Sequence, residues 1–170
     1  YNRLPDAGDL LEVYDQQLAA FGQEVTGRRI AYLEALTPLA VENYRRISQG
    51  REKLNLAYKA TFEGSLLEAY RRLRPAELRA GFCLAGPHRE DLEVLLDGQP
   101  ARVYGSQGQQ RSAVLALKLA EATQAEAVTG EHPVMLLDDV LSELDDARQN
   151  YLLTRMTGKQ VFVTACDSAV

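Results

Sequence analysis

Three observations predict an α/β fold carrying an α-helical lobe. Residues 9–79 place most of their apolar side chains at helical spacings of three and four. Two short apolar runs, 134–137 and 160–164, read as strands buried on both faces. The segment 145–156 between them reads as a helix, and strand, helix, strand in that order is a parallel α/β unit. The helical lobe is expected over 1–80 and the α/β part over 81–170.

The first helical stretch covers 9–48. Asp9 is a suitable N-cap, and Leu11, Tyr14, Leu18, Phe21 and Val25 form one stripe. A second stripe follows in Ile30, Leu33, Leu36, Ala40, Tyr44 and Ile47, interrupted by Thr37-Pro38 as a cap or a kink. Gly50 closes the stretch. The heptad-like phase is too short for a long coiled coil. Residues 54–60 alternate and read as a strand with one buried face. The next helix runs over 65–78, with a bend expected near Pro75.

After Gly81 the character changes. Phe82-Cys83-Leu84-Ala85 reads as a short apolar strand. Residues 92–96, the Asp97-Gly98 turn and 101–104 read as a hairpin. The glycine-rich turn Gly105-Ser106-Gln107-Gly108 leads into an amphipathic helix over 109–128, which Gly130 ends.

Composition narrows the class. With 170 residues, 46% hydrophobic and 25% charged, the chain can build one ordinary core with at most a small second lobe. Its longest apolar runs are four or five residues, so none can cross a bilayer as a helix. No stretch reads as a secretion signal, and two cysteines without a CxxC make neither a disulfide framework nor a zinc cage. A reducing cytoplasm is the expected compartment. Starting at Tyr1 without an initiator methionine, the chain reads as a fragment of something longer.

The net charge of −5 is uneven. Residues 1–80 hold 12 Lys+Arg against 11 Asp+Glu, a balance of +1, and residues 81–170 hold 7 against 13, a balance of −6. Any nucleic-acid footprint must therefore be local. Candidates are Arg28-Arg29, Arg45-Arg46, the run of Arg71, Arg72 and Arg74, and Arg79. The plainer alternative is a set of solvated helix faces whose arginines meet nearby glutamates.

Chemistry concentrates in two places. Asp138 and Asp139 leave the C-terminal end of an apolar run, where open α/β sheets place their ligands. One carboxylate there can hold Mg²⁺ while its neighbour polarises a water; the alternative is a plain cap or turn. The loop 104–112 sets a serine and two glycines at a helix N-terminus, which offers a hydroxyl, free N–H groups and the positive end of the helix dipole to a phosphate. Its alternative is an ordinary helix capped by Ser106. A two-metal nuclease built on Asp138-Asp139 is a further reading, but the nearby acids fall in the following turn. His88 beside Pro87 reads as a local hydrogen-bonding residue or a ligand contact. His132 reads as a solvent-facing turn residue, and Cys83 and Cys166 as packing residues.

Ser106-Gln107-Gly108-Gln109 resembles the signature loop of ABC-type ATPases. Leu136-Leu137-Asp138-Asp139 resembles their Walker B strand, and Ser142-Glu143-Leu144-Asp145 their D-loop. Within that superfamily, Gly86-Pro87-His88-Arg89-Glu90-Asp91-Leu92 followed by Tyr104-Gly105-Ser106-Gln107-Gly108-Gln109-Gln110-Arg111 is similar to the RecF family of SMC-like ATPases. The likeness is clear over 81–166 and less distinctive over 9–79. Glu90 stands where that family usually has aspartate, and Gln107 where many ABC signatures have glycine.

The resemblance implies the C-terminal half of an ABC-type ATPase head with an SMC-like helical lobe. It implies an ATP-dependent homodimer acting in DNA repair, replication, recombination and the SOS response. Such a protein binds gapped DNA or single-strand/double-strand junctions and promotes RecA loading with RecR and RecO. Carried over, Asp138 is the Mg²⁺ carboxylate and Asp139 the catalytic base. Ser106, Gln107, Gly108 and Gln109 contact ATP held by the other protomer. Ser142 and Asp145 belong to the D-loop, and Thr164 takes the switch position occupied by histidine in transporters. For DNA, Arg71 and Arg74 are the candidates. No GxxxxGK[ST] occurs in the sequence, so ATPase activity is expected of a full-length protein and not of this chain alone. A non-catalytic protein-docking or DNA-docking module is the competing reading.

Overall fold

The computed structural model describes residues 7–138, 140, 146–156 and 158–164. The elements in chain order are α1 (Ala7–Ile47), β1 (Leu54–Lys59), α2 (Leu66–Ala80), β2 (Asp91–Leu96), β3 (Gln99–Pro100), α3 (Ala101–Tyr104), α4 (Gln107–Thr129), β4 (Met135–Leu137), α5 (Asp146–Met156) and β5 (Val161–Val163). Strands β1, β2 and β3 form one sheet in that order, and β4 and β5 form another. The chain divides into two compact units: Tyr1–Tyr32 with Tyr58–Leu92, and Leu33–Ala57 with Glu93–Val170. This division differs from a boundary at residue 80. The last part of α1 belongs with the second unit, and the loop after Gly81 with the first.

The first unit packs small residues of α1 against α2. Ala19, Leu66, Ala69, Tyr70 and Ala85 are buried, with Phe62, Leu67 and Leu73 against them. Ser65 caps α2 by accepting the N–H of Glu68 at 3.4 Å, and Gly81 ends it in the left-handed region. The stripe expected to be buried here is not. Tyr14, Leu18, Phe21 and Val25 are exposed, Phe21 at 69%. The face carrying Ala19, Gly22 and Thr26 packs instead, because its small side chains let the partner approach closely.

Residues 82–85 form bends and irregular backbone rather than the expected strand. Two of their backbone groups are taken by side chains: Leu84 N–H donates to Glu77 at 2.6 Å, and Cys83 C=O accepts from Arg89 Nε at 3.1 Å. Next to them, Gly86 N–H donates to Thr61 Oγ1 at 2.9 Å. Groups held this way are not free to enter a strand ladder.

The second unit is built around α4. Leu36, Ala40, Tyr44 and Ile47 of α1, Leu54 of β1, Leu96 of β2, Met135 and Leu137 of β4 and Leu152 of α5 share one buried cluster with Ala113, Leu115, Ala116, Leu119, Ala120 and Ala122 of α4. This matches the second stripe, except that Ile30 is exposed. Pro38 lies inside α1, and Thr37 Oγ1 donates back to Leu33 C=O at 2.6 Å. Buried Asn43 donates to Ala116 C=O at 3.3 Å and accepts from Tyr151 OH at 3.4 Å, which joins three helices.

The hairpin is shorter than its apolar pattern suggests. Asp97 and Gly98 both take positive φ (48° and 80°), as a two-residue turn with strand twist requires. β3 is two residues long, pairing Leu95 with Pro100 and Leu96 with Gln99. Pro100 has no N–H to extend the ladder, and 101–104 turn into α3 instead of a return strand.

β4 and β5 pair in parallel, Met135 with Val161, Leu136 with Phe162 and Leu137 with Val163. Burial on both faces was expected of these runs. Met135 and Leu137 are buried, but Leu136 is 76% exposed and Phe162 is exposed beside it. Alternation along a strand sends them to the opposite face, which no described residue covers.

Candidate functional site

Ser106 is the N-cap of α4. Its Oγ accepts the N–H of Gln109 at 3.3 Å, and its own N–H donates to Gln109 Oε1 at 2.7 Å, completing a capping box. Gln110 Nε2 donates to Gly105 C=O at 2.9 Å, and Ser112 Oγ to Gly108 C=O at 2.6 Å, so the loop and first turn are held as one piece. A Cβ on Gly108 would lie 3.2 Å from Arg148 Nη1, so the end of that flexible side chain would have to give by a few tenths of an ångström. Ser106 and Gln107 are exposed, next to Val103 and Tyr104, the latter 70% exposed. An exposed helix N-terminus with a hydroxyl and glycine at its mouth can receive an anion through N–H groups and the helix dipole.

A carboxylate of different surroundings stands at the end of β4. Asp138 is exposed, and Thr164, directly after β5, donates from Oγ1 to Asp138 Oδ1. The parallel ladder sets this pair up, because Thr164 N–H also donates to Leu137 C=O at 3.0 Å. Asp138 further lines a cavity of about 310 Å³ with Gln110, Arg111 and Val114 of α4. The structure thus brings Asp138 together with Thr164, and with the second turn of the helix that Ser106 starts. Asp139, Ser142, Asp145 and Cys166 lie outside the described residues.

Mg²⁺ takes one or two carboxylates and fills its octahedron with water and phosphate oxygens. A single oriented carboxylate at a strand end fits that demand. Among the described residues no group of three or more His, Cys, Asp or Glu is placed to hold a metal ion.

Most of the arginine candidates, though not Arg72 or Arg79, are engaged by acids or carbonyls among the described residues. Arg71 pairs with Glu12 and Arg74 with Asp15, both acids of α1. The Arg71 guanidinium holds the Glu12 carboxyl below its ordinary value. Hydrogen bonds from Arg45 and Arg46 bring Glu42 down to about 2. Arg28 pairs with Glu24.

The 86–92 motif braces the first unit. Glu90 Oε2 accepts from Thr26 at 2.8 Å and from Tyr58, and Pro87 C=O accepts from Arg29 at 2.6 Å. His88 is exposed. Burial pushes the Cys83 thiol up, which suits packing rather than nucleophilic work. His132 does not face solvent: its side chain is 14% exposed, with Nδ1 2.8 Å from Pro133 C=O.

Sequence reasoning missed Glu52. Its Oε1 accepts from Gln109 Nε2 at 3.0 Å and its Oε2 from Tyr44 OH at 3.1 Å. Arg51-Glu52-Lys53 reads as a solvated charge run, and a bond spanning 57 residues leaves no local signature.

No protein-family model matches the chain. Among curated proteins it is similar to the DNA replication and repair protein RecF of Heliobacterium modesticaldum, 43% identical over 165 residues, or 91% of this chain and 44% of that protein. The RecF of Rippkaea orientalis is 46% identical over 165 residues, 91% of this chain and 43% of that protein. For Synechocystis sp. the identity is 48% over 153 residues, 84% and 40% of the two chains. Among solved structures, the recombination mediator protein RecF-ATP in the RecFOR pathway matches with a TM-score of 0.81 and 38% identity, covering 95% of this chain and 46% of that one. Its RecF-ATPrS counterpart matches at 0.82 and 38%, covering 98% and 47%. The chain spans less than half the length of the relatives it matches. With this identity along most of its residues and the ABC-type ATPase fold in common, the chain belongs to the RecF family of DNA replication and repair proteins.

Proposed function

We propose that this chain supplies the signature loop and the Walker B carboxylates of a cytoplasmic DNA-repair ATPase. The observation that carries the reading is the exposed, capped start of α4, with Ser106 and Gly108 at its mouth, in a chain similar to proteins solved with ATP. Ser106, Gln107, Gly108 and Gln109 receive the γ-phosphate of ATP held by a second copy. Asp138 holds Mg²⁺, its carboxylate oriented by Thr164 at the switch position. Bound there, the ion neutralises phosphate charge. Asp139 takes the proton from the attacking water, and Ser142 and Asp145 belong to the D-loop. Without a P-loop of its own, the isolated chain does not turn over ATP. The ATP-bound dimer engages gapped DNA and single-strand/double-strand junctions and works with RecR and RecO toward RecA loading.

The test is made in the full-length protein. Ser106→Arg puts a bulky cation where a phosphate must come close, so each protomer still binds ATP but dimers fail to form. Mixing it with a P-loop-dead protomer restores one composite site, read by gel filtration with ATP. A Ser106→Arg protein that stays dimeric rules out contact in trans. Asp139→Asn keeps ATP-induced dimers and slows hydrolysis by about 10²–10⁴-fold. Asp138→Asn weakens Mg²⁺-dependent nucleotide binding instead. Equal loss of affinity in both variants removes this division of roles.

A further inference from the structure

The loop that opens α4 is held from behind by a chain of hydrogen bonds. Tyr44, with no exposed surface, donates to Glu52 Oε2 at 3.1 Å, and Gln109 Nε2 donates to Glu52 Oε1 at 3.0 Å. The other end of the same amide, Gln109 Oε1, accepts the Ser106 N–H at 2.7 Å, while Ser106 Oγ accepts the Gln109 N–H at 3.3 Å. A side-chain amide has a donor end and an acceptor end, and an ionised carboxylate can only accept. Glu52 therefore admits one orientation of Gln109, the one that turns its carbonyl oxygen toward Ser106. Flipped, the amide would set its NH₂ against the Ser106 N–H, donor against donor.

We propose that Glu52 is a positioning residue for the signature loop. It sets the Gln109 amide and, through it, the Ser106 backbone and hydroxyl, so that the loop has its phosphate-receiving shape before a partner arrives. The proposal rests on the reading of Ser106 as an ATP contact in trans. Its physical content is pre-organisation: a loop already ordered loses less entropy on association. Ser106 and Gln109 make the box themselves; what Glu52 adds is a fixed orientation of the Gln109 amide, anchored to a wholly buried tyrosine.

The experiment uses the full-length protein. It compares Glu52→Ala, Glu52→Gln and Tyr44→Phe by hydrogen exchange of the 105–110 backbone, by ATP-dependent dimerisation in sedimentation, by ATP affinity of the monomer and by melting temperature. Glu52→Ala is expected to speed exchange at Ser106 and to raise the protein concentration needed for dimers by about tenfold, the scale of one hydrogen bond to a charged group. ATP affinity of the monomer stays unchanged. Glu52→Gln restores dimerisation, because its amide oxygen accepts from Gln109 while its NH₂ donates to the Tyr44 oxygen. Tyr44→Phe lowers the melting temperature and, with the Glu52–Gln109 bond still made, weakens dimerisation less than Glu52→Ala does. Unchanged exchange at Ser106 in Glu52→Ala overturns the proposal. Equal loss of dimerisation in Tyr44→Phe and Glu52→Ala, tracking the melting temperature, also overturns it, since the effect is then general destabilisation. Faster exchange in Glu52→Ala, alongside a Ser106→Arg protein that still dimerises, removes the trans reading and leaves the positioning role standing.

Discussion

Ser106 is at once a helix cap and an exposed hydroxyl, and the two roles make different demands. As a cap it satisfies a backbone N–H that the helix cannot, so Ser106→Ala is expected to lower stability by about 0.5–2 kcal/mol in a urea titration, and Ser106→Gly by only a few tenths. As a phosphate contact it would show its loss only with nucleotide present. The buried tyrosines respond to pH. Burial pushes Tyr70 up to about 12, and burial together with the Glu52 carboxylate raises Tyr44 as well. Below a pH of about 10 the phenols are protonated in both folded and unfolded chains, so their contribution is fully present. Above that the unfolded chain releases protons that the folded chain keeps, and stability falls as pH climbs toward the folded values. The urea midpoint should therefore drop between pH 8 and pH 11. The drop should be shallower in a Tyr44→Phe, Tyr70→Phe double variant; an equal drop in both proteins would assign the alkaline loss to other groups.

At the scale of elements, α1 shows how packing overrides composition. Gly22 and Gly27 lie in the same helix five residues apart, and helix propensity favours alanine at both by about 1 kcal/mol. A Cβ at Gly27 meets nothing within 4 Å. One at Gly22 would come 2.6 Å from Leu66 Cδ2 and 3.3 Å from the Pro87 ring. Leu66 is wholly buried, so its side chain has little space to yield. Gly27→Ala should stabilise by about 0.5–1 kcal/mol, whereas Gly22→Ala should destabilise by about 1 kcal/mol or more. Thermal melts of the two variants read the opposite signs; a stabilised Gly22→Ala would mean that α1 and α2 pack less closely than described.

Over this chain as a whole, a net charge of −5 opposes DNA, so any affinity it contributes has to come from local cations acting against that field. Arg71 and Arg74 remain the candidates, and each must share its guanidinium with a carboxylate of α1. The Arg71–Glu12 pair is exposed and screened by solvent, so exchanging Glu12 for phosphate costs the fold little. Arg74–Asp15 is more enclosed and carries more of the packing. Replacing both arginines by glutamine in the full-length dimer should weaken binding to DNA of any sequence. The log–log salt slope should flatten by up to about 0.9 per lost contact on duplex DNA. ATP-driven dimerisation should persist. An unchanged slope assigns the two arginines wholly to holding α1 against α2, and the cations that meet DNA must then be sought elsewhere in the protein.

Sequence alone was enough for what depends on neighbours along the chain. The second stripe of α1, the start of α2 at Ser65, the start of α4 at Ser106, the Asp97-Gly98 turn and the parallel order of β4 and β5 all follow from periodicity, capping chemistry and turn conformation. The likeness of 106–109 to a signature loop and of 136–139 to a Walker B strand was legible for the same reason, those stretches being short and contiguous. Tertiary structure decided what depends on distant partners. Helical spacing could not tell that α1 would pack through Ala19, Gly22 and Thr26 rather than its larger apolar stripe, because that choice belongs to what lies against it. Residues 82–85 were apolar enough for a strand, yet Glu77 took the Leu84 N–H and Arg89 the Cys83 C=O. The bonds from Thr164 to Asp138 and from Gln109 to Glu52 join residues 26 and 57 positions apart. Such bonds are set by where the sheet and helices meet, and a side chain's partner across that distance is fixed by the fold alone.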